Sequence, residues 1–95
     1  MKTDLVIIDE YIQYSAIEPK FIHLLDENGL IHIHKIENEC YLDTEELVEV
    51  ERYARMYYDL SINIEGIDVI RHLLNKIDEL QNEMKSLRSR LRLFE

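Results

Sequence analysis

Two histidines one residue apart, His32 and His34, are the side chains of this sequence best typed for chemistry. In the alternating run Ile31-His32-Ile33-His34 they share one face of a predicted strand, and two imidazoles on one face can ligate a metal ion. With one cysteine in the chain and no evident third ligand, a solvated strand face is the simpler reading, and no metal is expected. Cys40 has no basic neighbour in sequence to activate its thiol and reads as a small apolar filler. Ser15 and Ser61 fall at predicted helix borders, where capping is their ordinary role. Acid pairs such as Asp26-Glu27 and Glu45-Glu46 could be drawn as acid–base partners, but on helices such pairs are ordinarily solvated charge. There is no glycine-rich phosphate loop, no Gly-x-Ser-x-Gly elbow and no His-Glu-x-x-His pair. A chain of 95 residues is also too short to enclose a deep pocket. These residues point away from an enzyme, and no cofactor is expected.

The elements that carry them are mostly helical. Leu5-Val6-Ile7-Ile8 is a short apolar run that predicts a small edge strand. Asp9-Glu10 supplies the cap and first-turn acid of a helix to about Ser15, with Ile8, Tyr11, Ile12 and Tyr14 as its apolar stripe. After the tight link Ser15-Ala16-Ile17, Glu18-Pro19 opens a second helix, since proline suits the first helical position. Phe21, Ile22, Leu24 and Leu25 form its buried face, and Asn28-Gly29 ends it. Two short helices on a tight link read as a helix-turn-helix. The His32/His34 strand, a turn at Glu37-Asn38-Glu39 and a return strand Cys40-Tyr41-Leu42 add a small β-hairpin wing. Asp43 and Glu46 form a capping-box pair that starts a third helix running to about Tyr58 or Asp59, lined by Leu47, Val50, Ala54 and Tyr57. Leu60-Ser61-Ile62 interrupts the pattern, and Asn63 caps a last helix.

That last helix carries the clearest periodicity. Ile70, Leu73, Ile77, Leu80, Met84, Leu87, Leu91 and Phe94 alternate spacings of three and four over more than three heptads. A helix from Ile64 to Phe94 is roughly 46 Å long at 1.5 Å per residue. The preceding winged domain is expected to be roughly 25 Å across. The seam therefore needs a partner, and the simplest is a second copy. The expected organisation is a winged helix-turn-helix domain over residues 1–62 and a dimerisation helix over 63–95. Asp68, Asp78, Glu79 and Glu83 precede Lys85, Arg88, Arg90 and Arg92, so an antiparallel pairing sets opposite charges side by side.

Charge then sorts the function classes. Twenty acidic against eleven basic residues give a net charge of −9, a poor start for binding a polyanion. The second helix, which in such a fold enters the major groove, offers Lys20, His23 and Asn28 against Glu18, Asp26 and Glu27. The wing adds Lys35 beside Glu37 and Glu39. DNA binding is therefore disfavoured. A protein partner with a basic surface fits better, with Glu18, Asp26 and Glu27 on the second helix and Glu45, Glu46, Glu49 and Glu51 on the third as its candidate contacts. No apolar run approaches the length of a membrane span. The opening Met1-Lys2-Thr3-Asp4 lacks the apolar core of a signal peptide, and one lone thiol suits a reducing compartment, so a cytoplasmic location is expected.

The stretch Leu60-Ser61-Ile62-Asn63-Ile64-Glu65-Gly66-Ile67-Asp68-Val69-Ile70 resembles the start of the last helix in chaperone modulators of the CbpM type. So does Leu73-Leu74-x-x-Ile77-x-x-Leu80-Gln81-x-Glu83, followed by Leu87-Arg88-x-Arg90-Leu91. That family looks like a shortened branch of the MerR class of winged regulators. Glu27-Asn28-Gly29-Leu30-Ile31 resembles the MerR-class step from second helix to wing. The resemblance implies a mainly α, MerR-like winged helix-turn-helix domain with a coiled-coil helix. It further implies a regulator that binds the J domain of a DnaJ- or CbpA-like co-chaperone and blocks its stimulation of Hsp70. J domains use a basic helix for that stimulation, which an acidic competitor would suit. The alternative implied by the wider class is a DNA-binding transcriptional regulator. Effector or metal sites that MerR-class regulators carry beyond the dimer helix are not expected within 95 residues.

Overall fold

The computed structural model of the protein describes residues 4–94. Met1-Lys2-Thr3, where a signal peptide's start was sought, and Glu95 lie outside the described residues. The chain divides into two compact units, Met1–Ile64 and Glu65–Glu95.

The first unit runs β1 (Leu5–Ile7), α1 (Ile8–Gln13), α2 (Pro19–Glu27), β2 (His34–Ile36), β3 (Glu39–Asp43) and α3 (Thr44–Ala54). The three strands form one antiparallel sheet in the order β1-β3-β2, with β1 at an edge as its short run predicts. β1 registers Val6 against Leu42, and the Thr44 N–H extends that ladder to the Asp4 carbonyl at 3.0 Å. Ile22, Leu25, Leu42 and Val50 have no exposed surface, so the second helix, the central strand and the third helix meet in one core. Tyr53 joins this core from α3, although it is not among the residues expected to line that helix. Tyr14, expected on the α1 stripe, is instead 90% exposed, because α1 ends at Gln13 and Tyr14 lies beyond its last turn.

α2 begins at Pro19 as expected and closes with two reverse hydrogen bonds. The Leu30 N–H donates to the Leu25 carbonyl at 2.9 Å and the Gly29 N–H to the Asp26 carbonyl at 3.1 Å. This pairing requires a left-handed residue just past the helix, and Gly29 takes it at φ +73°.

Three local expectations need correction. The strand predicted over Ile31–His34 begins at His34 and runs to Ile36; Ile31 is buried in the core rather than alternating along a sheet, and His32 lies before the strand. The hairpin register (His34 opposite Tyr41, Ile36 opposite Glu39) leaves a two-residue turn, Glu37-Asn38, with φ of 47° and 68°. Both left-handed positions of a tight hairpin are filled without glycine, which is why the turn reads weakly in sequence. Third, α3 ends as an α-helix at Ala54 and continues as a π-helical turn over Arg55–Asp59. There the Leu60 N–H donates five residues back to the Arg55 carbonyl at 3.2 Å. The widened turn accompanies an aromatic cluster in which the Phe21 ring lies 4.8 Å from Tyr57 and 5.3 Å from Tyr58.

α4, Ile64–Arg92, is a continuous helix of 29 residues and about 43 Å that lies in the second unit from Glu65 on. It stops two residues short of the predicted end, so Phe94 falls in the following turn. No helix among the described residues is long and apolar enough to cross a membrane.

Candidate interaction surface

The residues nominated for partner binding divide into two groups once their surroundings are known. Glu18, Glu27, Glu45 and Glu51 are exposed. Glu18 stands at the mouth of α2, where its backbone N–H reaches the Tyr58 hydroxyl at 3.5 Å. Glu51 accepts a 3.4 Å hydrogen bond from the Tyr11 hydroxyl, and Glu49 is half-buried and sits 3.8 Å from Arg52 one turn on. Partial burial raises the Tyr11 phenol above its ordinary value, and the Glu51 carboxylate beside it adds to the rise.

Asp26 and Glu46 do something else. Residues 32–34 lead into the wing without a ladder partner for their first two N–H groups, and carboxylates supply the bonds. Glu46 Oε1 accepts the His32 N–H at 2.9 Å, and Asp26 Oδ1 accepts the Ile33 N–H at 3.1 Å. Next along, His34 Nε2 lies 3.3 Å from Asp43 Oδ2. Three successive residues at the wing entry are thus each held by a different carboxylate, one from α2, one from the end of β3 and one from α3. The capping box expected between Asp43 and Glu46 is accordingly not made: Glu46 turns to His32 instead of reaching back to the helix start. Like Asp26, Glu46 is half-buried.

The histidines are also rearranged. They do not share a strand face, yet their rings meet edge to face with centroids 4.7 Å apart. His34 pairs across the hairpin with Tyr41, which places Asp43, two residues along β3, on the same face as its diagonal neighbour. One ligand atom each from His34, Asp43 and Glu46 lies within 4.8 Å of the others. Sequence reading missed Asp43 here because it started the strand three residues early; the hairpin register was the signal that could have found it. Cys40 is half-buried on β3 opposite Lys35.

The face that would meet a DNA groove is sparsely basic. On α2 the exposed side chains include Glu18, Lys20, His23 and Glu27, with Asn28 at its C-cap. At the wing they are Lys35, Ile36, Glu37 and Asn38.

The seam of α4 is largely exposed. Leu73, Ile77, Leu80, Met84, Leu87 and Leu91 expose between 46% and 65% of their surface, and Phe94 exposes 87%. Ile70 alone of the eight is half-buried. Salt bridges on this helix are local: Arg71 with Asp68 at 3.0 Å and Lys76 with Glu79 at 3.8 Å.

Compared with known proteins, residues 6–89 match the family of MerR helix-turn-helix regulatory proteins. The chain belongs to the MerR helix-turn-helix family. Within that family's layout, α1 and α2 are the helix-turn-helix and the β2–β3 hairpin is the wing. No curated protein and no solved structure matches the chain.

Proposed function

We propose that this MerR-family chain is a non-enzymatic, cytoplasmic regulator that binds the J domain of a DnaJ- or CbpA-like co-chaperone and reduces its stimulation of Hsp70. The observation that carries the reading is the poverty of basic charge where a DNA reader needs it. The exposed part of α2 offers one lysine, and so does the wing, each with carboxylates beside it. Phosphate contacts dominate DNA affinity, and a surface that supplies two lysines among carboxylates forgoes most of them. The same surface suits a basic polypeptide, where charge matching speeds encounter and selects partners. Glu18, Glu27, Glu45, Glu49 and Glu51 are its proposed contacts, with Asp26 and Glu46 serving the wing from within. The resemblance of residues 60–91 to chaperone modulators supports the same partner.

We also propose that two copies pair through Ile70, Leu73, Ile77, Leu80, Met84, Leu87, Leu91 and Phe94. Burial of that seam, at about 25 cal/mol per Å², would supply the affinity, and the acidic-then-basic order of the helix favours the antiparallel arrangement.

The second reading, a DNA-binding transcriptional regulator, is favoured by membership of the MerR family and by the exposed Lys20, His23 and Lys35. One pair of titrations separates the two. The purified protein is added to a J domain with Hsp70 ATPase as the readout, and to duplex DNA at two salt concentrations. Loss of J-domain stimulation with weak DNA binding is the expected result. Tight DNA binding that falls steeply with salt, with no effect on the ATPase, would reverse the assignment. Charge reversal at Glu45, Glu49 and Glu51 is expected to slow J-domain association more at low than at high salt.

A further inference from the structure

The wing entry holds three metal-binding side chains of complementary type that neither the family nor the proposed partner explains. His34 comes from β2, Asp43 from the end of β3 and Glu46 from the first turn of α3. One donor atom from each lies within 4.8 Å of the other two. Two of them, His34 Nε2 and Asp43 Oδ2, are already 3.3 Å apart. Zinc bonded to nitrogen and oxygen at about 2.0–2.2 Å in a tetrahedron sets its ligand atoms about 3.3–3.6 Å from one another. The spacing of that hydrogen-bonded pair matches one edge of the polyhedron, and a bound ion would take the place of the proton between them.

A second observation points to a ligand. Glu46 uses one carboxylate oxygen, Oε1, on the His32 N–H, while Oε2 is closed off from solvent and no donor among the described residues reaches it. A buried carboxylate oxygen left without a partner is costly, and a divalent cation relieves that cost together with the repulsion between Asp43 and Glu46. The His32 ring packed edge-on against His34 restricts the imidazole to the plane it already has.

We propose that His34, Asp43 and Glu46 form a zinc-type site that staples the wing to the start of α3. One imidazole nitrogen and two carboxylate oxygens are donors that suit Zn²⁺, with a water to complete the four. The ion would link β2 to α3, next to the His32 N–H bond that Glu46 already accepts, and so fix the wing relative to the core.

The test uses full-length protein stripped with chelator and titrated with Zn²⁺ by calorimetry, and with Co²⁺ followed by its visible absorption. The expected result is one ion per chain, a Co²⁺ spectrum of tetrahedral type and a higher melting temperature with Zn²⁺. Glu46→Gln and Asp43→Asn keep an acceptor oxygen and are expected to stay folded by circular dichroism. Each, like His34→Gln, should weaken binding by more than about tenfold. His72→Gln removes the other histidine beside a carboxylate, Asp68 Oδ1 at 3.7 Å, and should leave binding unchanged. Amide exchange across Lys35–Asn38 should slow on adding Zn²⁺. Absence of saturable binding below about a millimolar ion, or binding that survives equally in all three site variants, would overturn the proposal.

Discussion

Leu25 and Leu80 are both leucines on amphipathic helices, and their circumstances could hardly differ more. Leu25, on α2, has no exposed surface, while Leu80, near the middle of α4, leaves 46% of its surface open. The same contrast holds between the units they belong to. The winged unit closes a core of its own, with a sheet and two helices converging on Ile22, Leu25, Leu42 and Val50, and leaves apolar side chains such as Ile36 and Val48 exposed singly. The long helix presents a row of apolar side chains at heptad spacing that are exposed from Leu73 onward. One set of hydrophobic residues specifies a fold; the other is apolar surface that the proposed pairing of two copies would bury.

Truncating each leucine tests that difference. Leu25→Ala is expected to lower the unfolding free energy by about 3 kcal/mol, measured by urea denaturation. A loss below about 1 kcal/mol would mean that the core at Leu25 is not closed. Leu80→Asp should act on assembly instead, weakening self-association by about 100-fold, as a charge enters the middle of the seam. Light scattering would then give the mass of one 11.5 kDa chain where the unaltered protein gives two. An unaltered protein that is itself monomeric at micromolar concentration removes the seam's proposed role.

Adjacent acids sharpen the contrast at finer scale. Asp26→Ala leaves the Ile33 N–H without its acceptor and should cost about 1–2 kcal/mol, whereas Glu27→Ala, at an exposed position, should fall within about 0.5 kcal/mol of zero. Equal effects would dissolve the division between scaffolding acids and surface acids. The smallest expected effect concerns pH. The Tyr11 phenol is raised in the folded state, so its contribution is present below its ordinary value of 10.0 and is lost as pH climbs through the raised one. Tyr11→Phe should therefore flatten the alkaline decline of stability above about pH 10 and leave neutral pH nearly unchanged.

Periodicity and punctuation explain which parts of this molecule could be read before its structure was known. Pro19 at the start of α2, Gly29 just past its end and the heptad row of α4 are local signals, and the elements stand where those signals put them. The wing was harder because its chemistry is not local. Ile31 and Ile33 alternate with histidines as in a strand, but burial of Ile31 in the core and the carboxylates of Asp26 and Glu46 hold this segment outside the ladder. Nothing in the spacing of Asp26 and Glu46, 20 positions apart, announces that they bond neighbouring amides. The π-helical turn was equally silent, since Arg55-Met56-Tyr57-Tyr58-Asp59 has unremarkable helix formers and the ring that its tyrosines pack against, Phe21, comes from α2. For the candidate surface, sequence located every acid but could not separate those facing outward from those turned inward.

The carboxylates at the wing entry also bear on any attempt to convert this scaffold into a reader of nucleic acid. Swapping acids for lysines would be tolerated at Glu18, Glu27 and Glu37, which hang in water. The same swap at Asp26, Asp43 or Glu46 would unhook the hairpin it was meant to arm. The domain's negative charge is in part mortar, and a redesign that treats it all as paint would bring down the wall.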